Sequence, residues 1–158
     1  VVIKPTQVCT LTGATSRACT DPATLAQQQT TDHWVFEEGA NETFTLTTGD
    51  GVTLPGIYFG DDATILNQDP CVGAGNGALC YFARRKFSSS DPKNNGCTKF
   101  GELVAILLRT ADTTFSGELT DTDGTDENCG TATVTQDISS VDGTRAEEPA
   151  LASEEALP

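Results

Sequence analysis

Residues 43–53, TFTLTTGDGVT, decide the fold class. Phe44 and Leu46 alternate with Thr43, Thr45 and Thr47, so an extended segment carries its apolar side chains on one face and its hydroxyls on the other. Gly49-Asp50-Gly51 then supplies a turn, and Val52 to Phe59 reads as the returning strand. Pro55-Gly56 inside that strand predicts a bulge or an edge position.

The same chemistry recurs outward from this hairpin. Threonine, about two dozen residues in all, clusters again in TADTTF, ELTDTDGT and GTATVTQ, and a β-branched residue suits a half-buried pleated surface. Further strands are expected at His33 to Glu37, Ala63 to Leu66, Leu79 to Phe87, Thr98 to Arg109, Thr113 to Thr120 and Gly130 to Ile138. Within GELVAILLRT (101–110), Leu103, Ile106 and Leu107 also fit a helical face. Its β-prone flanks and short length favour a central buried strand. DPATLAQQQ, Asp21 to Gln29, has an N-cap Asp and a first-turn Pro and predicts one short helix. The expected fold is therefore all-β, a disulfide-stabilised antiparallel sandwich or flattened barrel with one short N-terminal helix. Loops are expected at Gln68 to Gly77, Ser88 to Gly96 and Asp121 to Gly130. Residues 1–139 read as one β domain and residues 140–158, acidic and proline-containing, as a mobile tail.

Six cysteines, Cys9, Cys19, Cys71, Cys80, Cys97 and Cys129, form no CxxC couple. Structural zinc sites usually need such couples, so the even count reads as a disulfide framework and an oxidising, extracellular or cell-surface address. Proximity along the chain suggests Cys9 with Cys19, Cys71 with Cys80 and Cys97 with Cys129, among 15 formal pairings. The chain opens VVIKPTQVCT and contains no methionine, as expected after removal of a signal peptide. No apolar run approaches the ~20 residues of a spanning helix.

The formal charge of −14 repels nucleic acid and anionic membranes and favours cations and cationic partners. The Asp-rich run Asp121, Asp123, Asp126 and Glu127, turned at Gly124, is a candidate calcium loop, since calcium takes six to eight hard oxygens. It departs from an EF-hand: with Gly124 at the turn position the first ligand position falls on Leu119 and the last on Gly130. An acidic hairpin turn is the competing account. No cofactor is required, and calcium is the one ion suggested. Asn41-Glu42-Thr43 is an N-glycosylation acceptor. Arg84-Arg85-Lys86 is the one basic concentration, with Lys93 and Lys99 nearby, and reads either as a docking site for an acidic partner or as the solvated face of a strand.

Enzyme constellations are sparse. His33 is the single histidine, and on a strand it points away from its neighbour Asp32, which weakens a dyad. GAGNG (73–77) lies between two cysteines rather than between a strand and a helix, so it reads as a closed loop. These features favour a noncatalytic extracellular structural, adhesive or assembly subunit, joined to itself or to another extracellular protein. The alternatives are a carbohydrate- or calcium-binding module, with Trp34, Tyr58 and Tyr81 as the available aromatic platform, and a small secreted hydrolase or effector using carboxylates and His33.

Overall fold

A computed structural model of the chain describes residues 1–13, 16–20, 22–59 and 80–146. The expected strand at Ala63 to Leu66, the loop at Gln68 to Gly77, Cys71 and the acidic residues from Glu147 onward lie outside them. The described residues form an antiparallel sheet in which β1 (Val2–Thr12), β2 (Ser16–Cys19), β3 (Thr30–Thr31), β4 (Val35–Glu38), β5 (Thr43–Thr47), β6 (Thr53–Phe59), β7 (Cys80–Asp91), β8 (Cys97–Ala111), β9 (Thr114–Thr125) and β10 (Thr133–Thr144) lie in the order β2-β1-β10-β9-β8-β7-β6-β5-β4. β3 pairs with the outer side of β1. This corrects the sandwich expectation: one ten-stranded sheet forms, and it does not close into a barrel.

The sheet rolls instead. Ile3, Leu46, Leu54, Ala83, Ala105, Leu107 and Val141 occupy one face, and all but Ile3 are fully buried. Phe44 and Trp34 complete this core. One extended stretch joins the two sheet edges. Thr31 pairs with Val2, Asp32 exchanges backbone hydrogen bonds with Val1 at 2.7 and 2.8 Å, and three residues later the chain has become β4 at the far edge. Trp34 is buried at this crossing.

The Asp32 carboxylate fixes the crossing. It accepts hydrogen bonds from the Trp34 indole (2.8 Å), the His33 amide (2.8 Å) and the Gly49 amide of the β5–β6 turn (3.1 Å). Burial pushes its pKa up, but these three donors and the nearby Val1 ammonium outweigh that and leave the carboxyl below its ordinary value.

Four phenylalanines lie over glycines directly opposite them on neighbouring strands: Phe44 over Gly56, Phe87 over Gly101, Phe100 over Gly124 and Phe115 over Gly143. A methyl group on any of these glycines would fall 2.0–2.5 Å from a ring carbon, so the missing side chain is what lets each ring lie down.

Three boundaries move. The helix expected over Asp21 to Gln29 is a single α-turn, Pro22–Leu25, followed by a 3-10 turn, Ala26–Gln28. Among the residues of these turns whose burial is described, Leu25 alone is buried, too little to hold a longer helix that is marginal by itself. Pro55-Gly56 makes no bulge: register runs unbroken from β5 to β6, and Gly56 serves Phe44. The β6–β7 ladder nevertheless starts only at Gly56 opposite Ala83, because Pro55 has no N–H to extend it. The last strand runs past the Ser140 boundary to Thr144, with Val141 in the core.

Disulfides join Cys9 to Cys19 across the paired strands β1 and β2, and Cys97 at the start of β8 to Cys129 in the 3-10 turn Glu127–Cys129. Cys80 is also disulfide-bonded. The Cys97 bridge closes 32 residues, which constrains the unfolded chain by about 3–4 kcal/mol on the entropy model.

Candidate functional site

The four calcium candidates are not brought together as a loop. Asp121 and Asp123 lie within β9, two residues apart and so on one face, while Asp126 caps the following 3-10 turn by accepting from the Asn128 and Thr98 amides at 3.1 Å each. Gly124 is a strand residue under Phe100, not a turn. Among the described residues the group whose ligand atoms come close enough to share an ion is Cys97, Asp126 and Cys129, and its two sulfurs are bonded to each other.

A different acidic cluster forms instead. Asp137 of β10 sits directly opposite Asp121, on the concave face that also carries Asp123. With Pro5, Val8, Leu119 and Gln28, Asp121 and Asp137 line a recess of about 220 Å³ beneath the Ala26–Gln28 turn. Burial, then Asp123 and Asp137, pushes the Asp121 carboxyl up, and burial, then Asp123, does the same to Asp137. One oxygen of Asp137 is buried without a hydrogen-bond partner. Sequence reading missed Asp137 because its proximity is set by the β9–β10 register.

The basic run is split by the strand period. Arg84 and Lys86 share the convex face, where both reach Glu102, at 2.9 and 3.7 Å; Arg85 points to the concave side with Phe87. All of Arg84 to Asp91 is exposed. Beyond Ala83 this half of β7 pairs with β8 on one side and, among the described residues, with nothing on the other. A second such edge lies on β4, whose residues are all exposed and, among the described residues, pair with β5 alone. The two edges differ in charge: Glu37 and Glu38 on one, Arg84, Arg85 and Lys86 on the other. Both carry a large exposed apolar group, Phe36 and Val35 on β4 and Phe87 on β7.

Asn41 stands at the exposed tip of the β4–β5 hairpin, where Asn41 and Glu42 both take positive φ, 55° and 60°. The Thr43 amide and hydroxyl both donate to Ala40 O, at 3.3 and 2.6 Å. His33 is exposed, and the carboxylate beside it is engaged by the Trp34 indole and two amides rather than by the imidazole. Trp34 is core rather than platform. No helix among the described residues is long and apolar enough to cross a membrane. No protein-family model, curated protein or solved structure matches this chain.

Proposed function

We propose that this is a noncatalytic extracellular domain whose role is assembly: a stiff, disulfide-stapled sheet that joins other chains through strand edges. The observation that carries this reading is the pair of exposed strand edges, on β4 and on Arg84–Asp91 of β7, that pair with no further strand among the described residues. Unpaired strand edges are templates for adding another strand, and proteins that do not use them usually cover or shorten them. The disulfides support the extracellular address, because such bridges persist in oxidising compartments. An N-glycan at Asn41, on the exposed hairpin tip, belongs to the same reading in a eukaryotic secretory host.

Sedimentation velocity of the purified chain across concentrations from about 1 µM to 1 mM tests it. Species larger than a monomer that grow with concentration are expected. A monomer across the whole range, alone and in the medium from which the protein is secreted, contradicts it.

A further inference from the structure

We propose that the Cys9–Cys19 bridge is a thiol-exchange site, at which the thiolate of a low-molecular-weight thiol attacks Cys19 Sγ and Cys9 Sγ is the leaving group. This does not depend on the assembly reading. The sulfurs differ in access. Among the described residues Cys19 is the one exposed cysteine, whereas Cys9, Cys80 and Cys97 are 7 %, 1 % and 5 % exposed and Cys129 is half-buried. Exposed disulfides are the labile ones, and the accessible sulfur is the one attacked. The electrostatics favour the same direction. Arg17 Nη2 lies 3.7 Å from Cys9 Sγ, so the charge that leaves on Cys9 develops beside a cation, and a sulfur whose thiolate is favoured leaves faster.

In the first step a bond forms between the external sulfur and Cys19 Sγ as the Cys9–Cys19 bond breaks, and the bonding pair leaves on Cys9 Sγ. A second external thiolate then attacks the external sulfur of this mixed disulfide and releases Cys19 as a thiolate. The bridge is thereby reduced by two electrons, two external thiols are oxidised to their disulfide, and their two protons end on Cys9 and Cys19. The fold tolerates the opening. The bridge spans a sequence separation of 10 and pins β2, whose residues are all exposed and pair with β1 over Cys9–Thr12. On its other side β1 stays paired with β10 from Val2 to Thr12, so opening releases β2 and uncovers the outer backbone of β1 while the sheet holds. Cys97–Cys129 is the contrast. It closes 32 residues and has Cys97 buried. An Asp126 carboxylate oxygen also lies 3.6 Å from Cys129 Sγ, and a neighbouring negative charge opposes a thiolate that attacks or departs there.

The test treats the native chain with 2-mercaptoethanol, quenches samples with N-ethylmaleimide at intervals and maps the peptides by mass spectrometry. Cys9 and Cys19 should open at least about tenfold faster than Cys97 and Cys129. In the earliest samples the mercaptoethanol adduct should sit on Cys19 and the maleimide on Cys9. Equal rates for the two bridges, or an adduct on Cys9, overturn the proposal. Arg17→Gln, at an exposed position, should slow the opening at least about threefold, and Arg17→Lys should keep most of the rate. A rate unchanged in Arg17→Gln overturns the role given to the guanidinium. A variant carrying Cys9→Ala and Cys19→Ala reproduces the opened bridge for amide hydrogen exchange. Residues 16–19 should then exchange fast while the β9–β10 ladder keeps its protection. Protection retained at 16–19, or lost throughout the sheet, overturns the local release of β2.

Discussion

The ring of Phe36 lies 5.6 Å from that of Phe115, edge-on at 69°, although five strand steps separate β4 from β9 along the sheet. A flat sheet would hold those strands about 24 Å apart, at ~4.8 Å per step. The contact exists because the sheet rolls, and Phe44 and Tyr81 fill the space between, with rings 5.4–6.0 Å from their neighbours. Phe115→Ala removes the far wall of this cluster and also uncovers Gly143. It should cost about 2–4 kcal/mol in urea unfolding, and a loss under about 1 kcal/mol would show that the roll does not depend on it.

The phenylalanine–glycine pairs should respond unequally to alanine. Gly56→Ala meets both the buried Phe44 ring and the Phe82 backbone oxygen at 2.7 Å, neither of which can retreat. A loss of about 2–3 kcal/mol is expected. Gly101→Ala meets the half-exposed Phe87, which can swing into solvent, so the loss should stay below about 1 kcal/mol. Equal costs, measured by thermal melts, would contradict the difference in confinement.

Asp32 and the acidic recess predict opposite pH behaviour. The Asp32 carboxyl is held below its ordinary value, so its stabilisation is present above the unfolded pKa and is lost as pH falls through the folded one. Asp121 and Asp137 are raised, so they bind protons more tightly folded than unfolded, and their penalty grows as pH rises from near 3.8 through the raised values. Asp121→Asn should therefore stabilise the protein at pH 7 and lose that gain at pH 3, while Asp32→Ala should destabilise at pH 7 by about 1.5–3 kcal/mol. Denaturation profiles from pH 3 to pH 8 check both signs.

At the β4–β5 tip, Glu42 holds φ 60° where the β7–β8 tip uses Gly96 at φ 69° after Asn95. Glu42→Gly relieves a side chain in left-handed backbone and should stabilise the hairpin by about 0.5–1 kcal/mol. The sequon survives as Asn-Gly-Thr, so glycosylation at Asn41, read as an endoglycosidase-sensitive mass in a eukaryotic secretory host, should be unaffected.

Strand alternation and cysteine spacing were legible because both are local: Phe44 and Leu46 face one way, as their period requires, and Cys9–Cys19 and Cys97–Cys129 pair as their proximity suggests. The misreadings share a cause. Gly56 and Gly124 look like bulge or turn signals in one dimension, yet in the sheet each accommodates a phenylalanine from the next strand. Asp121 and Asp123 look like loop residues for the same reason, and no sequence spacing encodes the β9–β10 register that sets Asp137 opposite Asp121. The bare edge at Arg84 to Asp91 likewise depends on where Pro55 stops the neighbouring ladder.

Amide hydrogen exchange at residues 35–38 and 84–87, followed as the protein is concentrated, tests edge pairing most directly. The account predicts that protection rises in both segments, that salt reverses it, and that the β5–β6 ladder changes little. Exchange that stays fast and independent of concentration in both segments would contradict it.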